Sequence, residues 1–107
     1  MNRTVELEQT IVRKARALSD PTRLTILHTL LLEGELSCGQ VAERFPLAQP
    51  TISHHLNTLV QAGFVAMRKQ GQHHYFKASP EMLRAFAQSL LQLTGEPKTE
   101  HTPYKEG

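Results

Sequence analysis

The stretch "QPTISHHLNTLVQAGF", residues 49–64, combines the spacing of a buried helix with a polar outer surface. Pro50 suits an early position of a helix, and Gly63 suits the residue that ends one. The apolar residues recur at three- and four-residue steps, as on a helix that packs on a core. They are Ile52, Leu56, Leu59 and Val60. The stretch therefore predicts one amphipathic helix that ends at Gly63.

The polar residues of this helix are predicted to face away from the core. With Ile52 directed inward and about 100° per residue, His54 lies about 200° away, toward solvent. His55 lies only about 60° from Ile52 and is expected to be half-buried at the edge of the core. The two imidazoles therefore diverge, whereas metal-binding histidine pairs on helices usually sit four residues apart. The residues expected on or beside the outer face are Gln49, Thr51, Ser53, His54 and Asn57.

Two helices are predicted at the N-terminal end of the chain. Residues 4–18 carry a single apolar stripe with three- and four-residue spacing. Asp20 then provides an N-cap and Pro21 a first helical residue for a second helix, which runs to about Leu32. Because its apolar residues cover more than one face, we expect a buried central helix with His28 in the core.

Further elements are predicted on both sides of residues 49–64. A capping box that begins at Ser37 opens a short third helix to about Arg44. Downstream, apolar and aromatic residues flank a turn centred on Gly71, which predicts a β-hairpin. Ser79 then caps a fifth helix that runs to Leu93. The sequence predicts four helices, a hairpin and a last helix.

Length and composition are typical of one globular domain. The chain has 107 residues, of which 39% are hydrophobic and 21% charged. The single cysteine, Cys38, permits no internal disulfide and no cysteine-cluster metal site. The sequence contains neither an apolar run near the ~20 residues of a membrane span nor a signal-peptide core. We expect a cytoplasmic protein with one domain over residues 1–93 and a flexible tail over residues 94–107.

The charges are unevenly distributed along the chain. Residues 44–80 contain four Lys or Arg residues, four histidines and no acid. The remainder carries eight Lys or Arg residues against ten acids. Carboxylates oppose binding to a polyanion, whereas Lys and Arg promote it by releasing counterions. The acid-free segment therefore favours a surface that faces nucleic acid.

The predicted elements together form a winged helix-turn-helix. Two short helices joined by a tight turn precede a basic two-stranded wing, so the fold class is mainly α, with five helices and a β-hairpin. In this arrangement the second helix of the pair presents its N-terminal residues to base edges, and the wing contacts the backbone. The wing residues expected to bind DNA are Arg68, Lys69 and Gln72. The sequence contains no recognisable catalytic constellation, so we do not expect an enzyme.

Residues 11–80 resemble the ArsR/SmtB family of bacterial winged-helix repressors. The similarity lies in "DPTRL", "PTISHHLNTLVQAGFV" and "RKQGQHHYF". The resemblance implies a homodimer built on the first and last helices, which binds a pseudo-palindromic double-stranded DNA operator. It also implies release by an effector, often a metal or metalloid.

The family's familiar metal sites are not recognisable in this chain. Ser37 and Gly39 stand where metalloid sensors carry two cysteines, with Cys38 between them, and the last helix contains no histidine. We therefore expect no cofactor and no metal, and an effector, if one exists, of another kind. Two alternatives stay open: a metal or thiol sensor with an unusual site at Cys38 or His101, and a winged-helix module for protein assembly.

Overall fold

The computed structural model describes residues 3–95 and contains five helices and a small antiparallel sheet. The elements are α1 (Arg3–Leu18), α2 (Pro21–Glu33), β1 (Leu36–Ser37), α3 (Cys38–Ala42), α4 (Gln49–Gln61), β2 (Val65–Gln70), β3 (His73–Ala78) and α5 (Pro80–Gln92). The predicted order of helices and hairpin is confirmed. Most of the predicted tail, residues 96–107, lies outside the described residues, as does His101.

The sheet has the strand order β1-β3-β2, one strand more than the sequence predicted. The wing itself is the predicted hairpin, in which β2 and β3 pair antiparallel from Val65↔Ala78 to Gln70↔His73. The additional strand β1 has two residues, and its Leu36 is buried opposite Phe76 of β3. A strand this short has no periodicity to recognise, so only its partner reveals it.

The wing turns through two residues, Gly71 and Gln72, where the sequence predicted a turn centred on Gly71. Gly71 has φ +63°, a left-handed conformation that glycine adopts without steric cost. Two-residue hairpin loops favour such a residue because its twist matches that of the flanking strands. The glycine therefore fixes the register of the hairpin and with it the face on which each wing side chain lies.

The core lies between α2, α4 and the sheet, and α4 contributes its whole inner stripe. Its apolar side chains Ile52, Leu56 and Leu59 are completely buried. By contrast, only one face of α2 is buried, which corrects the prediction of a helix buried on several faces. His28, expected in the core, is exposed. The core residues are Ala17, Ile26, Leu27, Leu30, Leu36, Val41, Ile52, Leu56, Leu59, Ala62, Phe64, Val65, Phe76 and Ala78.

The helix α4 ends at a Schellman motif around Gly63. The N–H of Gly63 donates to the carbonyl of Val60, and that of Phe64 donates to the carbonyl of Leu59. Gly63 has φ +91°, which confirms the predicted terminating glycine. Phe64 then turns directly into the core, where it is fully buried and meets Phe86 edge-on. The end of α4 is thus tied to the start of the wing.

The first and last helices pack against each other and leave apolar side chains in solvent. On α5 no residue is buried, although Met82, Leu83 and Phe86 pack partly against the core. The exposed large apolar residues of these two helices and of Leu93, which follows α5, are Val5, Val12, Leu90, Leu91 and Leu93. Within residues 3–95, no helix has both the length and the apolar character needed to cross a bilayer.

Leu56→Ala should destabilise the chain by about 3 kcal/mol, because it opens a cavity beneath α4. Leu32→Ala is the matched control: Leu32 is 73% exposed, so its truncation should change the free energy of unfolding by less than about 0.5 kcal/mol. Urea denaturation at one protein concentration measures both. Equal effects of the two substitutions would contradict this description of the core.

Candidate nucleic-acid interface

The outer face of α4 carries the polar residues that the sequence predicted there. Gln49, Thr51, His54 and Asn57 are exposed, and Ser53 is half-buried at the flank. These side chains supply amide, hydroxyl and imidazole groups, which can both donate and accept hydrogen bonds at base edges. A row of such groups above a fully buried apolar stripe suits a surface that reads DNA.

No side chain caps the N-terminus of α4. The residue before the helix is Ala48, and its carbonyl accepts hydrogen bonds from the N–H groups of Thr51 and Ile52. A helix N-terminus carries a partial positive charge and unpaired N–H groups, both of which favour an anion. Because Pro50 has no N–H and those of Thr51 and Ile52 already donate to Ala48, the N–H of Gln49 is the backbone donor left in the first turn for a phosphate.

His55 diverges from His54, as the helical geometry predicted. Its ring lies 6.1 Å from the ring of His54, and the two planes are tilted by 53°. His55 is half-buried, and its Nδ1 lies 3.4 Å from a guanidinium nitrogen of Arg23 on α2. It accepts a hydrogen bond there when neutral and protonated on Nε2. His55 therefore belongs to the packing of α4 and not to its outer face.

In the wing, Arg68 is engaged within the protein. Its Nε and Nη2 donate to both carboxylate oxygens of Glu35 at 2.9 and 2.8 Å, and its Nη1 donates to Gln70 at 2.6 Å. The guanidinium also lies 4.8 Å from the ring centroid of Tyr75. Its hydrogen bonds lower the pKa of Glu35, so the carboxylate stays ionised at neutral pH. A DNA phosphate would have to displace Glu35 from Arg68.

Acidic residues just before the acid-free segment neutralise part of its charge. Glu33 pairs with Arg44 at 2.6 Å, and Glu35 pairs with Arg68 at 2.8 Å. Neither pair has a local sequence signal. Glu35 reaches Arg68 of β2 because the strand β1, which follows Glu35, pairs with β3 beside β2. Among the described residues, Lys69 and Lys77 are the cations of residues 44–80 that form no ion pair.

Lys69 and Gln72 lie at the end of the wing and are exposed. Lys69 pairs across the hairpin with His74, which is also exposed. The candidate residues thus form two groups, one on the outer face of α4 and one at the wing tip. The helix α4 packs directly against β2, the strand that contains Lys69. One rigid unit therefore supports both groups.

Cys38 occupies the start of α3 and is half-buried. Its Sγ lies 4.0 Å from the carbonyl oxygen of Gln49, and burial raises the pKa of the thiol. A raised pKa favours the protonated, less reactive form at neutral pH. Among residues 3–95, no three His, Cys, Asp or Glu side chains come close enough to share a metal ion.

Comparisons with known proteins agree with this geometry. A helix-turn-helix domain family matches residues 18–68. The transcriptional repressor SdpR of Bacillus subtilis is 42% identical over 69 residues, or 64% of this chain and 76% of that protein. The structure of an ArsR-like transcriptional regulator from Rhodococcus sp. RHA1 superposes with a TM-score of 0.73 at 30% identity, covering 82% of each chain. This chain belongs to the ArsR family of transcriptional regulators.

A second solved ArsR-family structure covers almost the whole chain. It is the winged helix-turn-helix DNA-binding domain of Mb0332 from Mycobacterium bovis, described as a homodimer. It is 27% identical, with a TM-score of 0.72, and covers 99% of this chain and 96% of that one. The ArsR fold of the present chain thus extends through α1 and α5 and is not confined to the helix-turn-helix.

Glu35→Gln should strengthen binding to DNA of any sequence, because Arg68 then becomes available to a phosphate. The slope of log K against log salt concentration should steepen by about 0.9, the value for one additional phosphate contact. Fluorescence titration of a random-sequence duplex at several salt concentrations measures the slope.

Arg68→Ala in the Glu35→Gln background is the control. It should remove the gain in affinity, since the gain depends on the guanidinium. If the gain persists in the double variant, Arg68 is not the group that Glu35 withholds from DNA.

Proposed function

We propose that this ArsR-family protein is a homodimeric repressor that binds a pseudo-palindromic operator in the cytoplasm and has no catalytic activity. One domain, residues 1–93, carries both DNA binding and dimerisation. The α4 helix enters the major groove, and the wing contacts the neighbouring backbone. Gln49, Thr51, Ser53, His54 and Asn57 contact bases or nearby phosphates, while Lys69 and Gln72 contact the backbone, as does Arg68 once a phosphate displaces Glu35.

The observation that carries the proposal is the division of α4 into two faces. Ile52, Leu56 and Leu59 are fully buried, so the helix cannot rotate about its axis without exposing them. The exposed side chains of Gln49 and Asn57 are thereby held outward, where their amides suit recognition of adenine. The uncapped first turn adds a site for a phosphate.

The dimer forms through α1 and α5. Val12 on α1 is 48% exposed and Leu91 on α5 is 49% exposed, and a second copy would bury such side chains. The homodimeric state of Mb0332 supports a homodimer here. A two-fold axis between the copies would present two α4 helices to successive major grooves, about 34 Å apart.

The effector, if one exists, differs from the metals and metalloids that the resemblance to the ArsR/SmtB family implies. Ser37 and Gly39 supply no thiolate beside Cys38, whose own thiol is half-buried. We propose an organic ligand or a protein partner, or regulation without a direct ligand.

Gln49→Ala should weaken binding to the preferred operator about tenfold and relax base preference at one position per half-site, because a bidentate amide contact is lost. The operator is first selected from random duplexes with the wild-type protein. Gln61→Ala is the matched control, since Gln61 is exposed near the opposite end of α4, about 18 Å away along the helix. It should leave base preference unchanged.

Lys69→Ala should instead weaken binding to all sequences by a similar factor and reduce the salt slope by about 0.9 per subunit, or about 1.8 for the dimer. If the wild-type protein selects no sequence from random duplexes, the proposed function is wrong.

Val12→Glu should convert the dimer to a monomer, because it places two charges in the apolar interface. Sedimentation velocity measures the mass. Leu32→Glu, which alters an exposed leucine of α2, is the control and should remain a dimer. A wild-type protein that sediments as a monomer at tens of micromolar would contradict the proposed interface.

A further inference from the structure

Lys14 connects α1 to the C-terminal end of α4. Its Nζ donates a 2.7 Å hydrogen bond to the carbonyl of Ala62, the residue that caps α4, and lies 5.6 Å from the ring centroid of Phe64. A cation at this position also meets the negative end of the helix dipole.

Arg23 connects the end of α1 to the middle of α4. Its Nε donates to the carbonyl of Ala17 at 2.8 Å, and its Nη2 donates to that of Arg16 at 3.1 Å. These carbonyls belong to the last turn of α1, and that of Arg16 also accepts hydrogen bonds from the N–H and Oγ of Ser19. The third nitrogen, Nη1, lies 3.4 Å from Nδ1 of His55 on α4. A single guanidinium thus joins three helices.

The two contacts hold α4 at separated points. His55 and Ala62 are seven residues apart, which is about 10 Å along a helix. One contact would fix only a distance, whereas two contacts this far apart also resist rotation of α4 against α1. The opposite face of α1 carries Val5 and Val12, which are 40% and 48% exposed.

We infer that Lys14 and Arg23 are positioning residues that set the angle of the recognition helix relative to the dimer interface, and so select the spacing of the two half-sites. The inference rests on the proposed function, since it requires a dimer that binds DNA through α4. Neither residue contacts DNA in this role. Both act on the orientation of α4 relative to α1, the helix that would be shared between the copies.

The angle of α4 relative to the dimer interface can be tested by how strongly affinity depends on the spacing between the two half-sites. Binding is titrated against the selected operator, against the same operator with one base pair inserted or removed at its centre, and against a duplex with a single half-site. Lys14→Met and Arg23→Lys should each weaken binding to the selected operator about tenfold. Binding to the single half-site should change less than twofold, and the penalty for altered spacing should shrink.

A merely structural role makes a different prediction. A variant that is only less stable would lose affinity for the operator and the half-site by the same factor and would keep the spacing penalty. Lys14→Arg retains a donor for the carbonyl of Ala62 and should restore wild-type selectivity. Lys77→Met removes the same charge from the sheet and should leave the spacing penalty unchanged.

A measurement without DNA tests the same angle directly. A spin label at Gln61→Cys, in a Cys38→Ser background, reports the distance between the two α4 helices of the dimer by electron–electron dipolar spectroscopy. The distribution should be narrow with Lys14 and Arg23 intact and should broaden in Lys14→Met. An equal width in both proteins would overturn the inference alone, whereas a wild-type protein without an inter-subunit signal would overturn the proposed dimer as well.

Discussion

The burial of one face of α4 is the constraint on which the rest of the structure depends. Ile52, Leu56 and Leu59 are inaccessible to solvent, and their transfer from water contributes about 2 kcal/mol each to folding. Rotating the helix by even one residue would expose part of this stripe. The burial therefore determines which polar side chains face outward, and the Schellman motif at Gly63 determines where the wing begins. The outward polar side chains of α4 and the wing are positioned by the same hydrophobic contacts.

The charge of the wing surface depends on an ion pair between residues of different strands. Arg68 and Glu35 lie 33 residues apart in the chain, yet β1 and β2 flank β3 and bring them together over Tyr75. An exposed ion pair of this kind contributes little to stability. The ion pair matters for binding instead, because a phosphate that binds Arg68 must compete with the carboxylate of Glu35. The acid-free segment is therefore less cationic in the folded protein than its composition indicates.

Much of the fold could be predicted because its elements have strong local signals. The caps at Asp20, Ser37 and Ser79, together with Gly63 and Gly71, mark ends and turns through backbone chemistry that involves only neighbouring residues. The outward direction of His54 and the half-burial of His55 followed from helical angles alone. The exposure of His28 did not, because the apolar residues of α2 cover more than one face in the sequence, and only the packing shows that a single face is buried.

The sequence by itself determined the winged helix-turn-helix, the two faces of α4 and the loss of the paired cysteines, because periodicity, capping and residue identity are local properties. Tertiary structure decided the third strand, the pairing of Arg68 with Glu35, and the hold of Lys14 and Arg23 on α4. Each of these joins residues separated by at least 32 positions in the chain. The exceptions are the contacts of Arg23 with the nearby end of α1. Such contacts arise only when packing brings distant segments together, and no local pattern encodes them.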